Sequence, residues 1–330
     1  MTKTILVTGA EGFLGRKIVE LFSDPNYSLR STDVTGCRPC DLVSCSENAL
    51  DELVRDVSVV LHVAGFAHHT GSVTPDIRKR YFEINTEATR RIAEAAKKTG
   101  RLERFVFLSS GAVYGSAAGQ SGRFDESSPC APDDAYGESK REAEQILETL
   151  FTDTETALVI LRMATLFGEE DPGNMQRLID SINRNRFVWI DTGRSRKTFI
   201  HRDDAAKACL LAATETLRSK NSIYNVSGET KETREILTDI FRELGKPLPK
   251  IRIPGSLARF LSGTLSACCL HRGIAAKIHR SVVKWQDDKP YDGSRFEQDF
   301  VFAPTVSMLE GLKREVAWMQ GTHSLTCPSP

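Results

Sequence analysis

The amino-acid sequence predicts an α/β protein with a doubly wound parallel sheet, followed by a smaller C-terminal domain. Three observations support this fold class. Short apolar segments alternate with amphipathic helical segments through the first half of the chain, which is typical of strand–helix–strand units. The first of these units carries a glycine-rich turn. After Gly168 the alternation weakens, and Pro247, Pro249 and Pro254 indicate a change of architecture.

The first half of the chain reads as successive strands and helices. Thr4–Thr8 is a strand of β-branched and apolar residues, and Arg16–Phe22 follows with helical spacing of its apolar positions. Val57–Val63 is an almost continuous apolar run, as a strand buried on both faces requires. The other predicted elements are strands at 28–32, 105–110 and 157–161 and helices at 78–99 and 136–151.

Beyond Gly168 the pattern indicates helices at 174–182 and 204–214 and a strand at 223–226. We therefore expect residues 1–172 to form the first domain, with 198–228 returning to it. The smaller domain is then expected to comprise residues 173–197 and 229–330. Its segment 246–289 has nine Lys or Arg against two Asp. That excess can attract phosphates, but a solvated helix face explains it at least as often.

The composition excludes several classes of protein. Among 330 residues, 44 are Lys or Arg and 44 are Asp or Glu, so bulk charge does not favour nucleic acid or a membrane surface. No apolar run is long enough to span a membrane, and the N-terminus lacks the pattern of a signal peptide. We therefore expect a cytoplasmic protein. The single CxxC, Cys37–Cys40, has no second ligand pair near it, so we expect no metal site.

The glycine-rich turn lies between the first strand and the first helix. Gly9 permits the tight turn, Gly12 lets the backbone approach a pyrophosphate, and Gly15 allows close packing of helix and strand. The helix that begins here, with Phe13 and Leu14 in its first turn, offers free N–H groups to a phosphate. These five residues, Gly9, Gly12, Phe13, Leu14 and Gly15, are therefore predicted to bind a dinucleotide.

Asp33 lies 18 residues after Gly15, at the end of the second predicted strand. A carboxylate there can accept hydrogen bonds from both hydroxyls of an adenosine ribose and would repel a 2′-phosphate. Arg30 and Arg38 are close in sequence and could pair with such a phosphate. The sequence therefore favours NAD as the cofactor over NADP.

Tyr136 and Lys140 are four residues apart at the start of a predicted helix, so they share one face of it. A phenol needs its pKa lowered by roughly three units to act as a base near neutral pH. We expect the lysine ammonium and an oxidised nicotinamide, both cationic, to supply that depression. Ser110 ends a strand and can hydrogen-bond the reacting oxygen. His62 lies inside an apolar strand and is predicted to be a packed core residue.

Taken together, these motifs are similar to those of the extended short-chain dehydrogenase/reductases, in the branch of nucleotide-sugar epimerases and dehydratases. The resemblance implies a Rossmann-like fold and makes Ser110, Tyr136 and Lys140 the catalytic set. The residues it implies along the cofactor are Asp41, Leu42, Ala64, Gly65, Ser109, Tyr136 and Lys140. The motifs that carry it are Thr8–Gly15, Asp33, Asp41–Leu42, Leu61–Gly65, Asn85, Ser109–Gly115, Tyr136-x-x-x-Lys140, Leu161–Arg162, Phe167–Gly168 and Arg196–Asp204.

The same resemblance implies Asn174, Arg196 and Arg295 as ligands of a sugar-nucleotide substrate, bound by the smaller domain, with Ser110 at the sugar. Two departures concern the galactose-type 4-epimerases. Thr165 stands where they carry an asparagine, and Gln298 where they carry a late arginine that Arg295 can replace.

The family's 4,6-dehydratases place an Asp-Glu pair after the catalytic serine or threonine. Here those positions are Gly111 and Ala112, which leaves water elimination without an acid and a base. We therefore predict an NAD-dependent nucleotide-sugar 4-epimerase. The alternative is an NAD(P)H-dependent reductase of a nucleotide-linked 4-keto-6-deoxy sugar, and a third is a cofactor-sensing or RNA-binding protein on a retired enzyme fold. The resemblance also implies that the helices at 78–99 and 136–151 pair across a two-fold axis, so we expect a homodimer; the alternative is that their apolar stripes simply cover the sheet.

Overall fold

A computed structural model describes residues 2–36, 38–67, 69, 71, 73–116, 123–171, 173–250, 252–257 and 288–322. The basic segment 246–289 lies largely outside the described residues. The strands are β1 (Lys3–Thr8), β2 (Tyr27–Thr32), β3 (Val59–His62), β4 (Arg104–Ser110), β5 (Ala157–Met163), β6 (Thr165–Phe167), β7 (Trp189–Ile190), β8 (Arg196–His201), β9 (Asn221–Val226), β10 (Thr230–Glu232) and β11 (Arg252–Ile253). The helices are α1 (Phe13–Leu21), α2 (Glu47–Val54), α3 (Pro75–Phe82), α4 (Ala88–Lys98), α5 (Ala135–Phe151), α6 (Asn174–Asn183), α7 (Arg202–Thr214), α8 (Thr233–Glu243), α9 (Ser294–Phe300) and α10 (Met308–Gly321).

The central sheet has six strands in the order β2-β1-β3-β4-β5-β9, and every neighbouring pair is parallel. The predicted α/β class with a doubly wound parallel sheet is therefore confirmed. The chain leaves β1 toward β2 on one side and returns to β3 on the other. Such a reversal opens a crevice at the carboxyl ends of the strands, where ligands bind in sheets of this kind.

Alternating side chains of the sheet build two separate cores. Ile5 and Val7 pack with Ile18 of α1 on one face, whereas Leu6 packs with Ile92 of α4 on the other. This follows from the period of two along a strand. Helix α7 contributes small buried residues to the first face, which lets it lie close to α1. They are Ala205, Ala206, Ala208, Cys209, Ala212 and Ala213.

The predicted helix over 78–99 is interrupted. Helix α3 and helix α4 are joined by a wider π turn, Glu83–Glu87. The side chain of Asn85 within it donates from Nδ2 to the backbone oxygen of Phe66 at 3.0 Å and to Ser139 Oγ at 3.0 Å. These tertiary hydrogen bonds favour the irregular turn, which a periodic apolar pattern alone cannot indicate.

A third core lies in the later part of the chain and is formed by helices α6, α8 and α10 around the fully buried Trp189. A three-stranded sheet, β10-β8-β6, and the pair β11-β7 accompany it. Strand β9 joins the central sheet beside β5, and α7 shares its core with α1. The domain boundaries stay a prediction. Among the described residues, no helix is long and apolar enough to cross a membrane.

Candidate active site

The glycine turn is shaped by positions that have no room for a side chain. Gly9 has a φ of +71°, and a Cβ there would lie 2.6 Å from the backbone of Ala64. A Cβ on Gly15 would lie 2.0 Å from the carbonyl oxygen of Gly9. Helix α1 starts at Phe13, no side chain caps its N-terminus, and its first turn has no acidic residue. The turn thus presents uncapped amides at a positive helix end, as a diphosphate requires.

Asp33 lies beside this turn. Its Oδ2 accepts a hydrogen bond from the backbone N–H of Glu11 at 2.9 Å, and its Oδ1 accepts one from Val34 at 2.7 Å. A carboxylate that accepts two bonds still has lone pairs for ribose hydroxyls. Arg30 points away, because it pairs with Asp56 at 2.6 Å at the far end of α2. That pairing removes one of the two arginines that could have held a 2′-phosphate.

Asp41 and Leu42 make local contacts. The Asp41 carboxylate accepts hydrogen bonds from the hydroxyl and backbone of Ser44 and from the backbone of Val43, which lower the pKa of this carboxyl. The Leu42 side chain is buried in the core below α4, and its carbonyl oxygen accepts a hydrogen bond from Arg91. The contact of Asp41 and Leu42 with an adenine stays a prediction, and in this structure only the backbone of the turn and the exposed carboxylate are free to make it.

The loop after β3 brings Ala64 and Gly65 to the crevice. A Cβ on Gly65 would lie 3.2 Å from both Asn85 Oδ1 and Lys140 Nζ, so these three residues meet. Asn85 also accepts the N–H of Phe66 at 2.7 Å and thereby fixes the loop. His62 is fully buried, with a threonine hydroxyl on each ring nitrogen, and burial lowers its pKa to about 3. It is a neutral core residue, as the sequence predicts.

Ser110, Tyr136 and Lys140 are brought together where β4 ends and α5 begins. Ser110 Oγ accepts the N–H of Ala112 at 3.2 Å and hydrogen-bonds the phenol of Tyr136. Lys140 Nζ donates to the carbonyl oxygen of Leu108 at 2.8 Å. Burial lowers the pKa of Lys140 to about 8, although the charge of a neighbouring carboxylate opposes that shift. Ser109 points to the opposite side of the strand from Ser110.

The expected depression of the Tyr136 pKa is not supplied by the chain's own groups. Burial raises the pKa of this phenol to about 12, and the hydrogen bond from Ser110 only partly opposes it. Asp134 and Tyr81, whose ring centroid lies 6.0 Å away, also disfavour the phenolate. The physical reason is that Lys140 is itself desolvated and donates to Leu108. A phenolate here therefore needs a further positive charge beside it.

The three predicted substrate ligands contact other parts of the chain. Asn174 opens α6, but Asp171 already accepts the nearby N–H groups of Gly173 and Met175 at 2.7 and 3.3 Å. The α6 N-terminus is therefore less open to a diphosphate than the sequence suggests. Arg196 donates to the Asp288 carboxylate at 2.6 Å.

Arg295 lies against the edge strand of the central sheet. It donates to the carbonyl oxygen of Ile223 at 3.3 Å and covers the ring of Tyr224 at 5.0 Å. Ile223 is level with Phe107, three residues before Ser110, which is roughly 10 Å along the strands. As substrate ligands, Asn174, Arg196 and Arg295 stay predictions.

Tyr291 lies beside the site, although no sequence motif indicates that it should. The ring of Tyr291 lies over Gly111, where a Cβ would come within 2.5 Å of it. Tyr291 is buried and packs near Tyr114 and Phe124, with ring centroids 6.0 Å apart in each case. The position that carries an acid in the dehydratases is thus filled by an aromatic ring from a distant segment.

Comparisons with known proteins identify the family to which the chain belongs. The chain is 23% identical to the N-acetyl-alpha-D-glucosaminyl-diphospho-ditrans,octacis-undecaprenol 4-epimerase of Escherichia coli O157:H7, over 96% of each chain. It is 25% identical to the UDP-glucose 4-epimerase of Vibrio cholerae, over 77% of this chain and 80% of that one. The fold matches the UDP-glucuronic acid 4-epimerase of Bacillus cereus in complex with NAD, with a TM-score of 0.75, 21% identity, and coverage of 97% and 99%. The profile of the NAD dependent epimerase/dehydratase family matches residues 5–227, and the chain belongs to that family.

Proposed function

We propose that the protein is an NAD-dependent nucleotide-sugar 4-epimerase. The observation that carries this is the meeting of Tyr136, Ser110 and Lys140 at the crevice, beside a glycine turn with uncapped amides. The ring of Tyr291 over Gly111 supports it further, since the site then lacks room for the acid of a dehydratase. Relatives named as 4-epimerases support the position of the chemistry on the sugar.

The residues present fit NAD. The amides at the start of α1 would hold the diphosphate, Asp33 the adenosine ribose, and Lys140 the nicotinamide ribose. Bound there, NAD would supply the acceptor for a hydride from the sugar and the donor that returns it. Its oxidised ring would also place a positive charge beside Tyr136, which would lower the pKa of the phenol.

The chain's own groups then handle the proton and the orientation. Tyr136 takes the proton of the C4 hydroxyl, and Ser110 hydrogen-bonds the same oxygen and orients it. Lys140 stays protonated near neutral pH, because its pKa is about 8, and its ammonium would hold the nicotinamide ribose and so keep the oxidised ring beside Tyr136. Because the hydride returns to the sugar, no net redox change occurs and no cofactor is consumed.

The test is incubation of the purified protein with UDP-glucose, UDP-N-acetylglucosamine and UDP-glucuronic acid, with NAD at a catalytic concentration. Proton NMR of the anomeric region should show the C4 epimer of at least one of them. A second incubation contains NADH or NADPH and a nucleotide-linked 4-keto-6-deoxy sugar. If the reduced cofactor is oxidised there, and no epimer forms in the first incubation, the protein is the reductase. Tyr136→Phe is the matched control, since it keeps the ring and removes the hydroxyl.

A sugar linked to polyprenyl diphosphate is the second candidate substrate. The observation that favours it is the Escherichia coli relative, whose name states such a substrate and which aligns over 96% of both chains. The excess of seven positive charges in segment 246–289 is also suited to anionic lipid surfaces. Parallel assays with UDP-N-acetylglucosamine and with polyprenyl-diphospho-N-acetylglucosamine in detergent would separate the two candidates.

A further inference from the structure

An ion pair lies inside the protein, directly behind the candidate active site. The side chains of Glu144 and Arg162 are 0% and 2% exposed. Arg162 donates from Nε to Oε1 at 3.0 Å and from Nη2 to Oε2 at 2.8 Å. A buried ion pair commonly contributes no more stability than apolar side chains of the same volume. Stability alone therefore does not account for this one.

Glu144 belongs to the same helical stripe as the candidate catalytic residues. Tyr136, Lys140 and Glu144 follow each other at intervals of four in α5, so they lie on one face, a turn apart. Each of them contacts a residue near the end of β4. The partners are Ser110 for Tyr136, the carbonyl oxygen of Leu108 for Lys140 at 2.8 Å, and Ser109 Oγ for Glu144 at 2.6 Å.

The network extends beneath the floor of the site. Arg162 Nη1 donates to the hydroxyl of Tyr114 at 3.1 Å, and that hydroxyl donates to Asn225 Oδ1 at 2.7 Å. Asn225 in turn donates from Nδ2 to the carbonyl oxygen of Phe124 at 3.0 Å. The ion pair thus ties α5 to β5, β9 and the turn after β4 through groups that are all buried.

We propose that Glu144 is a positioning residue: its carboxylate holds Ser109 and Arg162, and so fixes α5 against β4 at the register where Tyr136 meets Ser110. This inference rests on the proposed function, because it assigns Glu144 a role behind that site. Glu144 does not itself reach the crevice, since its carboxylate is fully buried.

Glu144 also acts on the charge of Lys140. Among the described residues, the titratable groups beside Lys140 are His62 of β3, which is neutral, and two groups of its own helix, the protonated phenol of Tyr136 and the carboxylate of Glu144. Burial lowers the pKa of Lys140, and Glu144 raises it. Without that negative charge the pKa of Lys140 falls further, so the ammonium is lost at a lower pH. If Glu144 only stabilised the fold, its replacement would not change the pKa of Lys140.

The test compares Glu144→Gln with Glu148→Gln. Glu148 lies one turn further along α5, is 41% exposed and shares the partner Arg141 with Glu144. Glu144→Gln should lower kcat by about 10- to 100-fold, as expected for a small misplacement of reacting groups, with KM within about twofold. The fall of kcat at high pH should begin roughly one pH unit lower. Glu148→Gln should match the wild type in kcat, in KM and in the pH at which kcat begins to fall.

Calorimetry of NAD binding gives a readout that does not need turnover. NAD binding should weaken at high pH, because Lys140 loses the proton with which it would hold the nicotinamide ribose. In Glu144→Gln this weakening should begin at a lower pH, by the same shift as in the kcat profile. If the wild type turns over no sugar, this shift still tests the inference and only the proposed function fails. If the wild type is active and Glu144→Gln keeps its kcat and both pH profiles, the inference is wrong.

Ser109→Ala covers the case in which Glu144→Gln does not fold. It removes one hydrogen bond to Glu144 and keeps the ion pair with Arg162. Its kcat should fall about threefold to tenfold, because the retained ion pair leaves a smaller misplacement of the reacting groups than in Glu144→Gln. The pH profile should be unchanged because the charge of Glu144 remains. A wild-type kcat in Ser109→Ala would overturn the proposal.

Discussion

Gly15→Ala tests whether the turn between β1 and α1 holds a diphosphate. The added Cβ would lie 2.0 Å from the carbonyl oxygen of Gly9 and 2.8 Å from the Cα of Ala10. Both neighbours are backbone atoms, so no side chain can swing away. Ordinary contact between such atoms needs about 3.2 Å or more, so α1 and the turn must separate by roughly 1 Å.

The magnitude follows from that separation. Forcing an extra carbon into a packed position costs about 1–3 kcal/mol of folding free energy. A displaced α1 also loses at least one amide hydrogen bond to the diphosphate, which contributes about 1.5–3 kcal/mol when the acceptor is charged. Since 1.4 kcal/mol is a factor of ten in affinity, the dissociation constant for NAD should rise roughly 10- to 100-fold.

The assay is calorimetry with NAD, together with urea unfolding of the same samples. Gly321→Ala is the matched control, because a Cβ at the end of α10 meets nothing within 4 Å. It should leave both quantities close to those of the wild type. If Gly15→Ala binds NAD as tightly as the wild type and unfolds at the same urea concentration, this turn does not hold the diphosphate.

Four further predictions follow from the same structure. Tyr136→Phe should keep the NAD affinity of the wild type and lower kcat by about 100-fold or more, measured by NMR; retained turnover would exclude Tyr136 as the base. Gly111→Asp should lower the free energy of unfolding by about 1–3 kcal/mol, because the new side chain meets the ring of Tyr291, and should yield no 4,6-dehydratase product; a stable, dehydrating variant would contradict this. His62 has a pKa of about 3 when folded against 6.5 unfolded, so stability is lost as pH falls below 6.5, by about 2 kcal/mol between pH 6.5 and 5; urea titrations in which His62→Gln shows the same loss would refute it. Light scattering should give twice the 36.6 kDa chain mass if the proposed homodimer forms, and a chain-mass particle at micromolar concentration would exclude it.

The inner strands of the sheet could be predicted because they contain nearly continuous apolar runs. Val59–His62 and Arg104–Ser110 lie within or close to the predicted limits, since burial on both faces leaves a strong signal. Helix α2 was missed. It is only eight residues long, and its sequence signals are a few apolar positions and the N-cap Ser46. Such short amphipathic segments are ambiguous without their tertiary partners.

The candidate site divides in the same way. Tyr136, Lys140 and Ser110 were found because a fixed spacing and a strand end mark them. Tyr291 was not, because its place over Gly111 depends on a contact between segments 180 residues apart. The raised pKa of Tyr136 was also unexpected, since desolvation is a property of the packed structure and not of the motif.

The most direct test of the central claim is a crystal structure of the protein with NAD bound. The diphosphate should lie on the amides that begin α1, the adenosine ribose on Asp33, and the nicotinamide ring beside the hydroxyl of Tyr136, with Lys140 on its ribose. A nicotinamide ring bound on another side of the sheet, or one separated from Tyr136 by other side chains, would contradict it.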